Sequence, residues 1–167
     1  MSIQLATREL VTCICYKENR MSEQNKTVVR RLIDELWNKG NLQVADEIIA
    51  PNYQHHDAST PDLGKGPEGE KKRVNLYRGA FHDFRLNIED LYAEGETVVA
   101  RWSCRGVHKG ELNGIAPTNK QVAITGVTIA RFTNGKIVEG YVNWDALGLM
   151  RQLGVVPEPV KSMATAN

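Results

Sequence analysis

Asp145 is the residue of this 167-residue chain best placed to act as an acid or base. It follows Trp144, where a strand-like stretch gives way to a helical one, and by strand parity it shares a side with Tyr141 and Asn143 unless a bulge intervenes. A carboxylate at the wall of an apolar pocket loses hydration of its charged form, so its pKa rises toward that of a useful base at neutral pH. Asp is also a preferred helix N-cap, and Asp145 could serve both roles. His108 shares the apolar side of its strand with Trp102 and Cys104. There it is either a donor to a substrate carbonyl or a core-edge histidine with its hydrogen bonds satisfied. The cluster His55-His56-Asp57 follows the second helical stretch. Adjacent residues of an extended segment point opposite ways, so the two histidines do not share a metal ion; His56 is a candidate for the pocket mouth. Among the aromatics, Trp102 and Tyr141 are expected to touch a ligand, with Asn143 and Trp144 beside Asp145.

Along the chain, helical signals come first and strand signals follow. Ser22 is a suitable N-cap, and Val29, Leu32, Ile33, Leu36 and Trp37 form one apolar stripe that Gly40 ends. Asn41 opens a second helix, Leu42 to Ala50, stopped by Pro51, and a loop is expected from Tyr53 to Gly66. Gly66-Pro67 starts a third helix carrying Val74, Tyr77 and Phe81. The run Lys71-Lys72-Arg73 on it reads as a solvated face. The period then changes to two, over Asp83 to Ala93, Thr97 to His108, Gln121 to Thr133 and Lys136 to Trp144, with the hairpin signal Asn134-Gly135. A closing helix spans Asp145 to Leu153, and Gly154 terminates it. Helices segregated from antiparallel strands make this α+β, and a twisted, strongly bent sheet with a helix on one side leaves a concave pocket.

Composition narrows the function classes. With 21 basic and 20 acidic residues there is no charge excess to draw nucleic acid or an anionic membrane. No apolar run approaches the roughly 20 residues of a membrane span, and the start makes a poor signal peptide, so the cytoplasm is the expected location. Cys13, Cys15 and Cys104 offer neither a disulfide framework nor zinc spacing. The chain has no glycine-rich phosphate loop and no G-x-S-x-G elbow, so no cofactor or metal is expected. Residues 1–20 and 158–167 read as tails around one domain over 21–157.

Several strings stand out together: Val98-Val99-Ala100-Arg101-Trp102, Gly106-Val107-His108-Lys109-Gly110-Glu111-Leu112 and Gly114-Ile115-Ala116-Pro117-Thr118 in the centre. They are followed by Gly126 through Phe132, Asn134-Gly135-Lys136-Ile137-Val138-Glu139, and Trp144-Asp145 through Gln152-Leu153-Gly154. In these the chain resembles the SnoaL-like polyketide cyclases (ester cyclases) of the nuclear-transport-factor-2-like superfamily, from about Ser22 to Pro157. The resemblance implies a cone-shaped barrel of curved antiparallel sheet, in the cystatin-like manner, packed against N-terminal helices. It implies a homodimer through the sheet and cofactor-free closure of a polyketide ester by intramolecular aldol condensation. The family's aspartate base maps onto Asp145. Its assisting histidine falls near Arg131, with His108 or His56 as substitutes. The expected ligand is a small apolar carbonyl compound. A related hydroxylase or hydratase, or a non-catalytic binding or dimerisation module, are the alternatives on the same fold.

Overall fold

Alternation of apolar and polar side chains drives the C-terminal half of the chain into strands. In the computed structural model, which describes residues 20–157, β3 (Thr97–His108), β4 (Gln121–Thr133) and β5 (Lys136–Trp144) have the expected bounds. β2 (Phe81–Glu94) starts slightly before the expected Asp83. Cys13, Cys15 and, Arg20 apart, both expected tails lie outside the described residues.

A further strand, β1 (Ile49–His56), occupies the expected end of a helix and start of a loop. It runs parallel to β5, so the order is β1-β5-β4-β3-β2 and the five-stranded sheet is mixed, not purely antiparallel as expected. Pro51 hid this strand, but proline lacks only a donor, and an edge strand can spare one. The preceding helix α2 (Gln43–Ile48) is shorter than expected because Ile49 and Ala50 belong to the strand. Asn41 supplies a backbone carbonyl to Val44 and no side-chain cap.

Residues 20–31 form helix α1, which continues as a π-helical segment, Leu32–Asn38. Helix α3 (Gly66–Ala80) has Pro67 in its first turn, and α4 (Ala146–Leu153) is capped by Asp145. The apolar stripe of α1, through Val29 and Leu36, packs with Val44, Ile48 and Val74 against Val98, Ala100, Ala130 and Phe132 of the sheet. On the other face Val127 and Ile129 remain exposed.

A bulge in β5 decides which side chains face the helices. Phe132 pairs with Ile137 and Arg131 with Glu139, which leaves Val138 as the extra residue. Beyond a bulge the alternation is inverted. Gly140 therefore lies against Tyr53, and Val142 and Trp144 turn inward, while Tyr141 and Asn143 turn away.

Two strand glycines make room for aromatic rings. Gly126 pairs with Trp102 across β3 and β4, and a Cβ there would overlap the indole ring. Gly140 does the same for the Tyr53 hydroxyl, which would lie 2.5 Å from an added Cβ. The Gly126→Ala variant is expected to lose about 1–3 kcal/mol of stability through overpacking, read as a lower urea midpoint with an unchanged m value.

Candidate active site

Between α1 and the inner face of the sheet lies a cavity of about 120 Å³. Its apolar walls come from Val29, Leu32 and Ile33 on the helix, Val98, Ala100 and Trp102 on β3, and Ile124 and Val142 beyond them. The Cys104 thiol also lines it, and burial pushes that thiol up to about 12, so it stays protonated. Trp102 directs its ring nitrogen to the Thr128 hydroxyl at 3.0 Å, which fixes the ring across the cavity.

One end of this cavity is polar. His55, Asp57, Thr60, Glu70, Arg73 and Tyr77 meet there, and the side chains of His55, Asp57, Glu70 and Arg73 are between 4% and 9% exposed. Glu70 accepts from Trp37 Nε1 at 3.1 Å and from Arg73 Nη1 at 2.8 Å. Asp57 accepts from Trp144 Nε1 at 3.0 Å, from the Thr60 hydroxyl at 2.5 Å and from the Ser59 amide at 2.8 Å. His55 lies between the two acids. Its Nδ1 is 3.8 Å from Glu70 and its Nε2 is 3.9 Å from Asp57. Nδ1 is bonded to the Tyr53 hydroxyl at 3.1 Å, whereas Nε2 has no hydrogen-bond partner.

Burial lowers the His55 pKa from its ordinary 6.5, with Arg73 and His56 acting in the same direction against Glu70 and Asp57. The imidazole is therefore neutral at physiological pH. Burial raises the Tyr53 and Tyr77 hydroxyls above their ordinary value, so both stay protonated. The arrangement is a neutral imidazole with a free ring nitrogen, braced by two acids, at the head of an apolar chamber.

Of the residues expected at the site, Trp102 and Trp144 line the cavity. The others do not line it. Asp145 is exposed, and its Oδ1 accepts from the Gly148 amide at 2.8 Å as the cap of α4. It does not line the cavity, because it follows Trp144 on a strand whose inward residues are the even ones. The same bulge carries Tyr141 and Asn143 outward. Tyr141 stacks on exposed His56 at 4.4 Å, and Arg131 lies 5.5 Å from the Tyr141 ring centroid on that outer surface. His108 is fully buried but packs against Phe81 at 5.3 Å, in a second core cluster outside the cavity. Its Nδ1 is held 3.1 Å from the Thr118 hydroxyl, and burial lowers its pKa too.

The profile of the SnoaL-like polyketide cyclases matches residues 27–153. The chain belongs to this family. Nogalonic acid methyl ester cyclase of Streptomyces nogalater is 30% identical over 120 residues, covering 71% of this chain and 89% of the relative. Aklanonic acid methyl ester cyclase AcmA of Streptomyces galilaeus is 31% identical over 136 residues, covering 80% and 92%. The structure of TsrD from Streptomyces laurentii superposes with a TM-score of 0.74 at 25% identity, over 80% of this chain and 97% of that one. Among the described residues of this SnoaL-like chain, no helix is long and apolar enough to cross a membrane.

His55, Asp57, Glu70 and Arg73 were not singled out as a set from the sequence. Two signals were there to find them. Tyr53, His55 and Asp57 alternate as one face of a strand, and Glu70 and Arg73 share a helix face at i,i+3.

Two measurements check these placements. Asp145→Ala removes an N-cap and should cost about 0.5–2 kcal/mol, seen as a lower melting temperature, while Asp145→Asn retains the cap. His55 and His108 are both held below 6.5 in the fold, whereas the unfolded chain takes up protons near 6.5. Stability is therefore complete above that pH and is lost as pH falls through it toward the lowered values. Urea midpoints should be flat at and above neutrality and drop below about pH 6.5; a midpoint unchanged down to about pH 5 would show that neither histidine is held neutral.

Proposed function

We propose that the protein is a cofactor-independent acid–base cyclase that closes a ring in a small, largely apolar polyketide ester, with His55 as the base. The observation that carries this is the unpartnered Nε2 of a neutral His55 beside an apolar cavity. The nogalonic and aklanonic acid methyl ester cyclases among its relatives support the substrate class.

Asp57 already receives three hydrogen bonds, whereas the Glu70 oxygen facing Nδ1 receives one, from Arg73. The Nδ1–H tautomer is favoured, donating to Tyr53 with Glu70 close behind it, and this leaves the lone pair on Nε2. Nε2 takes a proton from the carbon next to a carbonyl. The imidazolium that forms lies between two acids, which stabilise it. The enolate carbon attacks a second carbonyl of the same molecule, and the new alkoxide recovers the proton from His55. One C–H bond and the π bond of the second carbonyl are exchanged for a C–C and an O–H bond, with no net change in oxidation level.

Charge selects the substrate as well. Glu70 and Arg73 cancel, which leaves Asp57 as the uncompensated charge at the site. A free carboxylate is repelled there, and a neutral ester is not.

Turnover of aklanonic acid methyl ester and nogalonic acid methyl ester, followed by chromatography, tests the assignment. His55→Asn should lower kcat by roughly 10²–10⁴-fold. Asp145→Asn should turn over at the wild-type rate, and kcat/KM should fall only as pH drops below the ordinary histidine value. Full turnover by His55→Asn, or its loss in Asp145→Asn, overturns the assignment.

A further inference from the structure

We propose that Arg73 is the group that receives the substrate's oxygen as it becomes an enolate, with Nε–H as the donor. This deepens the reading of His55 as base and rests on it.

Arg73 lines the cavity with a side chain only 4% exposed. Among the described residues, its one side-chain hydrogen bond runs from Nη1 to Glu70, and its buried Nε–H has no partner. A guanidinium carries five N–H donors and does not lose its proton. Burying such a donor unpaired is unfavourable, so native structures rarely leave one without a role. Neutralising Glu70 uses Nη1 alone and leaves this second donor unused on a residue that lines the cavity.

The surroundings hold the donor still. Glu70 is gripped on its other oxygen by Trp37, so the Glu70–Arg73 pair has little freedom to turn. Lys71, two positions earlier, points instead to Asp46 at 2.8 Å and Glu68 at 2.7 Å. The basic run therefore splits, with Lys72 exposed, Lys71 paired to surface acids and Arg73 in the site. Donors fixed before charge develops stabilise it most, because nothing needs to reorganise as the reaction proceeds.

The charges created by the reaction both find partners. When the C–H bond breaks, its electron pair enters the enolate, negative charge appears on oxygen at Arg73, and the proton appears on His55 between Asp57 and Glu70. When the C–C bond forms, the second oxygen takes that proton and the site returns to its starting charge.

Two measurements decide the matter. Arg73→Lys keeps the charge and loses the planar fork. It should reduce kcat by about 10²–10³-fold, with KM and melting temperature little changed. Titration of the wild type with 2-naphthol, an enol mimic, should show the absorbance of the ionised form at a pH where free naphthol is neutral. Arg73→Gln should abolish that signal. Wild-type kcat in Arg73→Lys, or naphthol bound to the wild type only in its neutral form, overturns the proposal. If Arg73→Gln does not fold, the same titration of Arg73→Lys decides it: a weakened ionised signal is expected, and a signal equal to that of the wild type overturns the proposal. Failure of the base assignment shows separately, as full turnover in His55→Asn.

Discussion

A carboxylate taken out of water must be compensated on every side, and Glu70 imposes that requirement on the whole site. Its two oxygens are answered by an indole from the π-helical segment and a guanidinium from one turn further along α3. Its remaining field falls on His55, contributed by the edge strand. Three elements distant in sequence are thus held in one arrangement by one acid. Removing the acid would leave a buried cation without its partner, a more severe defect than the loss of a single hydrogen bond.

The π-helical turns at the end of α1 belong to the same arrangement. Widening a helix leaves carbonyls without their usual partners. Here the Trp37 and Asn38 carbonyls are taken up by Arg78 Nη1 at 2.8 and 2.6 Å. The Asn38 side chain meanwhile bonds both backbone groups of Leu86. Trp37 is thereby held between the helix end and the sheet, with its ring on Phe84 and its N–H on Glu70. A helix end of this kind costs regular hydrogen bonding, and the compensation comes from elsewhere in the chain.

Much of the fold was legible because alternation is a strong signal in long strands. Thr97 to His108 shows it in Val98, Ala100 and Trp102, all buried in the structure. The chemistry was less legible, because it depends on where alternation breaks. The extra residue Val138 leaves no mark in composition, yet it determines that Trp144 faces inward and Tyr141 does not. Asp145 looked catalytic on the assumption that parity carried through to the strand end. Pro51 in turn disguised β1 as a loop, and with it the inward side of the His55–His56 pair. Arg73 was obscured by its neighbours: three basic residues in a row suggest a wet surface, and only the helix's rotation separates them.

The His55–His56 pair gives β1 an importance beyond its place at the edge of the sheet. Two histidines stand side by side, one facing the chamber and the other resting on Tyr141 outside. Shifting the strand by a single residue would exchange them, moving Tyr53 out of the core at the same time. The irregular pairing between Ile49 and Gln54 sets that phase. The spacing between α2 and the first histidine therefore acts as a selector of chemistry. An inserted or deleted residue there could silence the interior without touching any side chain in it.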